Sequence, residues 1–161
     1  MKKAETVTSE FYCIRPREWN RFPFDVLTSL DLPRSPERQG VLAEVRRSVQ
    51  KPVSSRKSHS IREFYTILLR DANILKMVEE RGRHFDLENL LVYVLTHEII
   101  HVVRFLNQSA PFFMDRRRRR IEEMKVTDIT SKTLEVTKDG NISYLISHFH
   151  DFCEINTEHS C

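Results

Sequence analysis

The sequence predicts an α+β fold that is predominantly helical, a helical core with a small antiparallel sheet or hairpin, and three features predict it. The first is residues 87–106, apolar nearly all round, as a buried helix requires. The second is a polar helix behind Asp115, an aspartate where a cap belongs. The third is a modest β content: one run rich in β-prone residues at 63–70 and one Asp-Gly turn at 139–140, material for a small sheet at most. A chain of 161 residues can bury one hydrophobic core but not two independent ones. It divides into an N-terminal extension over 1–60, partly helical with a mobile linker, a core over 61–137, and a C-terminal hairpin and tail over 138–161.

In chain order, residues 1–20 show little periodicity and are expected to be loose. Residues 21–32 carry Phe22, Phe24, Val26, Leu27 and Leu30, apolar enough to pack on the domain. Ser35 with Pro36 at the first helical position predicts a helix to about Val49. Residues 50–60, with Pro52 and alternating serines and bases, read as a linker. The run 63–70 predicts a strand, with a helix over 61–80 as its rival. Asp71 can cap a helix from Ala72 to about Arg81, which Gly82 ends, and Asp86 or a neighbour starts the apolar helix. Asp115 caps a helix from Arg116 to about Thr133. Residues 134–147 alternate around Asp139-Gly140-Asn141 and predict a hairpin. The tail carries His148, His150, Cys153, His159 and Cys161 at a spacing that fits no structural zinc pattern, so a polar, floppy tail is expected.

Several classes are disfavoured. The net charge is only +3, much of it traceable to the run Arg116 to Arg120, so bulk charge does not argue for nucleic acid. That run has no interleaved aromatics for base stacking; solvation is its expected state, with attraction of an acidic peptide, phosphate or nucleic acid as the alternative. Cys13, Cys153 and Cys161 are odd in number and unpatterned, which predicts reduced thiols in a cytoplasmic protein. The basic start is followed by no apolar run, so no export signal is expected. Residues 87–106 are about as long as a membrane span, but His97, Glu98, His101 and Arg104 would each be expensive in lipid, and no membrane is predicted.

The chemistry is concentrated in His97-Glu98-Ile99-Ile100-His101. A step of four on a helix is about 400°, so His97 and His101 leave one face, about 5–6 Å apart at Cβ, with room for one metal ion between them. Glu98, about 100° around, can reach a water on that ion without being a ligand. The string also arises by chance, and a lone histidine on an apolar helix is more often a hydrogen-bonded core residue. Two imidazoles and a carboxylate within a buried helix are costly unless paired or bound to metal, which favours the metal, Zn²⁺. If residues 63–70 form a strand, it is either the edge strand beside this cleft, to which an extended peptide could add, or a strand that merely covers the core.

A catalytic zinc site needs a third protein ligand. A metzincin would carry glycine and histidine where this chain has Arg104 and Asn107. The motif with the pair Glu122 and Glu123 some twenty residues on, inside a predicted helix, resembles the gluzincin branch of zinc metallopeptidases in a minimal version. The resemblance covers about residues 87–129. It implies a zincin-like core within 61–137 and Glu123 as the third ligand, Glu122 being the alternate. It further implies zinc-dependent hydrolysis of a peptide or protein substrate by a metal-activated water, with Glu98 as general base. The residue that would support a histidine is Thr127 here, a departure, with Asp128 a possible substitute. Tyr65, Arg104 and Tyr144 are conceivable oxyanion donors. Against this stands the reading that Glu122 and Glu123 merely pair with Arg118 and Arg119 one turn back. The alternative function is a non-catalytic or autoinhibited metal-binding regulatory module, its fourth position closed by His148, His150 or Cys153. A basic-run adaptor for nucleic acid is a third.

Overall fold

The computed structural model describes residues 1–29, 31, 40–50, 62–82 and 85–158, and of 50, 62 and 151–158 the backbone alone. The fold is α+β and predominantly helical, with a three-stranded sheet. Its helices are α1 (Lys2–Tyr12), α2 (Asp71–Arg81), α3 (Leu87–Leu106), α4 (Arg116–Glu135) and α5 (Gly140–Glu158), with a short 3₁₀ turn at Pro16–Arg21. The strands are β1 (Phe24–Thr28), β2 (Ala43–Gln50) and β3 (Arg62–Leu69).

Helix α3 is the axis of the molecule. Asp86 caps it by accepting from the Asn89 amide at 2.8 Å, and thirteen of its twenty residues are buried. Every other helix and the strands β2 and β3 lie against it, which is where its all-round apolarity goes: the length of a membrane span is spent here on a protein interior. Asp115 likewise caps α4, accepting from the Arg118 amide at 2.8 Å, and Gly82, at φ 68°, closes α2.

The strand expected at 63–70 is β3, and it lies at the centre of the sheet, not at an edge. The strand order is β1-β3-β2, with β1 parallel to β3 and β2 antiparallel to it, so the sheet is mixed. A central strand spends its backbone groups on both neighbours and cannot accept a peptide; the edges are β1 and β2, of which β2 lines the cleft at the histidines. The helix expected to reach Val49 is corrected by β2 itself. Ala43, Val45, Arg47 and Val49 alternate with Glu44, Arg46 and Ser48, the period of two that a strand needs, and the pairing Val45↔Ile67 and Ala43↔Leu69 sets the inner positions on the core. The helix-start signal at Ser35-Pro36 and the linker at 51–60 lie outside the described residues.

Four further expectations are overturned. Residues 1–20 are not loose: Ala4, Val7 and Thr8 fall on one face of α1 and are buried, and that helix packs on α3 and α4. Asp71 does not cap α2, which has Arg70 at its N-cap without a side-chain bond; its carboxylate instead accepts from the Ser29 amide at 2.9 Å, tying the end of β1 to the start of α2. The hairpin at 134–147 is a helix start. Asp139 accepts from the Asn141 amide at 2.9 Å through its side chain and from the Ser143 amide at 2.9 Å through its carbonyl, and Ile142 and Leu145 are fully buried beneath α5. The expected floppy tail is helical to Glu158; His159 and Cys161 lie outside the described residues.

Candidate metal centre

One face of α3 carries Tyr93, His97, His101 and Phe105, each four residues after the last. Their rings form a continuous row, with centroids 6.4 Å apart at Tyr93–His97, 4.9 Å at His97–His101 and 5.6 Å at His101–Phe105. Phe149 of α5 stacks on Tyr93 at 4.5 Å, and Tyr65 of β3 stacks on Phe105 at 6.0 Å. The two imidazoles are thus held between aromatic rings contributed by other elements, which restricts their rotation about χ2.

Helix α4 brings Glu123 to them. Its Oε2 lies 3.3 Å from His97 Nε2 and 3.3 Å from His101 Nε2, and one donor atom from each of the three residues falls within 4.8 Å of the others. A charge-assisted hydrogen bond between imidazolium and carboxylate closes to about 2.7–2.9 Å. Ligand atoms at about 2.0–2.1 Å from a tetrahedral ion stand about 3.4 Å apart. The observed separations are those of long hydrogen bonds and also lie near the edge of a coordination tetrahedron, and two nitrogens with one carboxylate oxygen are a donor set that zinc accepts. Residues and metal fit.

Glu122, the alternate, is elsewhere. It accepts from Arg104 Nε at 2.6 Å and Nη2 at 2.8 Å, a two-pronged pair that is almost wholly buried. Consecutive residues on a helix diverge by about 100°, so one glutamate of the pair points between α3 and α4 while the next points at the histidines. The ion pairs Arg118–Glu122 and Arg119–Glu123 are not made: Arg118 instead lies 3.5 Å from Asp115. The Tyr12 hydroxyl of α1 lies beside the buried pair, its pKa pushed up by burial with Arg104 opposing.

Glu98 is buried next to the cluster without being one of its three donors. Burial pushes its pKa up to about 7; the charge of His97 pulls it down, while Glu123 and Glu44 push it further up. For Glu123 burial also acts upward, but hydrogen bonds from His101 and His97 and their positive character outweigh it, holding the carboxyl well below the usual range. A carboxyl group shifted toward neutrality thus stands beside one that stays ionised.

The supporting residues differ from the expectation. His97 Nδ1 and His101 Nδ1 are buried with no hydrogen-bond partner among the described residues. Thr127 is buried nearby but supplies neither with an acceptor, and Asp128 turns outward to Lys132 at 2.7 Å. None of the three conceivable oxyanion donors lines the clefts at the cluster. Arg104 is held by Glu122, the Tyr65 hydroxyl donates to Glu63 at 2.8 Å, and Tyr144 sits against Phe85. His148 also packs on Phe85, at 5.1 Å, and neither it nor His150 joins the cluster; the Cys153 side chain lies outside the described residues. Arg119, expected from the sequence to pair with Glu123 or to stand solvated in the basic run, does line the cleft beside His101. Its position four residues before Glu123 was the available signal. No protein-family model, curated protein or solved structure matches this chain.

Proposed function

We propose that the chain is a zinc-dependent peptidase of minimal, gluzincin-like design, with His97, His101 and Glu123 as the metal ligands and Glu98 as the general base. The reading rests above all on the two 3.3 Å separations from Glu123 to the histidine nitrogens, a spacing suited to a shared ion. A zinc ion held there supplies Lewis acidity toward a substrate carbonyl and lowers the pKa of a water. Glu98 takes the proton of the attacking water and passes it to the leaving amine nitrogen as the C–N bond breaks. Its burial beside the ligands and its place on the wall of both clefts suit both halves of that task. The ring row on α3 orients the ligands, and the buried Arg104–Glu122 pair sets the rotation of α4 that presents Glu123.

The experiment is metal analysis of the purified chain beside His101→Ala and Glu98→Gln, with peptide hydrolysis measured on all three. About one zinc per chain is expected in the parent and in Glu98→Gln, and little in His101→Ala. Hydrolysis should fall by at least about 100-fold in both variants. Zinc retained by His101→Ala, or hydrolysis untouched in Glu98→Gln, overturns the assignment.

A further inference from the structure

Two clefts meet at the cluster, and both are lined by Ala43, Glu98 and Glu123. Their characters differ. The one on the His97 side, about 190 Å³, is walled by Leu42, Tyr93, Val94 and Phe149 and carries no charge beyond the two shared glutamates. The one on the His101 side, about 320 Å³, has Phe105, Phe112 and Met114 on its wall and Arg119 at its exposed margin. The smaller lies below and the larger at the lower end of the range of about 300–1,000 Å³ for pockets that enclose a whole small molecule, and each has room for a side chain.

Arg119 is the cation in this neighbourhood whose charge is left unanswered. Arg118 faces Asp115, Arg104 is locked to Glu122, and Arg47 pairs with Glu63 while lying over the rings of Phe112 and Phe113. The other carboxylate in the larger cleft, Glu44, is engaged by Arg46 and Arg70. Among the described residues no carboxylate lies within ion-pair distance of Arg119. Nor does Arg119 serve its own helix, because a base in the first turn opposes the helix dipole.

Resting on the peptidase reading above, we infer that the substrate is a peptide bearing an acidic side chain on the His101 side of the metal centre, received by Arg119, and an apolar side chain on the His97 side. The scissile bond lies between the two. With Glu123 committed to the cation and Glu44 to two arginines, the remaining carboxylate of that cleft is Glu98, buried in α3, and Arg119 is the charge at its exposed margin. Its exposure limits the gain: a pair in water contributes little, and the apolar wall of Phe105 and Phe112 raises it only moderately. The expected selectivity is therefore about 2- to 5-fold for glutamate over glutamine.

The test has two arms. In the first, the zinc-loaded chain digests a mixture of proteome-derived peptides, and cleavage sites are read by mass spectrometry. Asp and Glu should be enriched on one side of the broken bond and Leu, Phe and Met on the other. Arg119→Glu should replace the acidic enrichment with a basic one, the loss on an acidic peptide being carried by KM, and Arg119→Lys should retain much of the acidic preference. In the second arm, Glu98→Gln, with and without zinc, is titrated with fluorescein-labelled heptapeptides in which leucine and glutamate flank the central bond in either order, and with their glutamine versions. Tighter binding of one glutamate peptide, lost in Arg119→Glu/Glu98→Gln, supports the inference even where turnover is absent, and that result would count against the peptidase reading alone. Cleavage without acidic preference, or a preference unmoved by Arg119→Glu, overturns the inference and leaves the peptidase reading standing. Neither cleavage nor any difference in binding overturns both.

Discussion

Glu98 occupies a position that catalysis wants and stability does not. In the metal-free chain its carboxyl titrates near 7 in the folded state against 4.5 as the ordinary value, with burial as the main cause. Between those values the folded chain holds a proton that the unfolded chain has released. Stability therefore falls as pH rises through about 4.5 to 7, and the whole cost is present above 7. Glu98→Gln, in a chelator, should be more stable than the parent at pH 8 by up to about 3 kcal/mol, and close to it at pH 4. Urea unfolding at the two pH values measures this; an equal effect at both would mean that the carboxylate is not the strained species. The Arg104–Glu122 pair makes the opposite case. Removing one partner of a buried ion pair strands the other, so Arg104→Met should cost about 3–5 kcal/mol. It should also weaken zinc binding about 10- to 100-fold by freeing the rotation of α4. Zinc affinity unchanged in a folded Arg104→Met chain would remove this pair from any positioning role.

At the scale of elements, what could be read locally came out as expected and what depended on distant partners did not. The caps Asp86 and Asp115 and the stop at Gly82 act within a few residues, and the helices they bound stand where the sequence places them. Strand β2 could not be read that way, because Arg47 and Glu44 find partners in Glu63 and Arg70, well along the chain. The Asp-Gly signal at 139–140 has two physical outcomes, a tight hairpin or a helix N-cap, and the buried pair Ile142 and Leu145 decides for the helix. For α1 the deciding fact is equally remote: Ala4 is wholly buried where α1 crosses the core. Ala4→Leu should therefore destabilise the fold by about 1–3 kcal/mol through overpacking, seen as a lower urea midpoint with an unchanged slope. A loose N-terminus would accept that leucine without any shift.

For the molecule as a whole, the candidate site was more legible than the fold around it. His97, Glu98 and His101 lie within five residues, and their geometry follows from helical spacing alone. Choosing between Glu122 and Glu123 required the resemblance, and the partner that settles Glu122, Arg104, lies on α3 at a distance that no local pattern encodes. On the proposed reading the arrangement ties folding to metal. The three donors come from two helices, so an ion bound there joins α3 to α4 in the folded chain and has no such site in the unfolded one. At free zinc 100-fold above the dissociation constant the expected stabilisation is about 2.7 kcal/mol, about 5–11 °C in Tm for a chain of this size. Ligand histidines must be deprotonated to bind, so the zinc-induced shift should be large at pH 8 and shrink as pH falls through the histidine range toward pH 5.5. Glu123, whose carboxyl is held low, stays ionised over that window and does not contribute to the loss. Differential scanning fluorimetry with and without zinc at the two pH values, on the parent and on Glu123→Gln, reads this directly. Glu123→Gln should lose most of the shift at pH 8, whereas a shift of equal size in parent and variant would place the bound zinc on other residues.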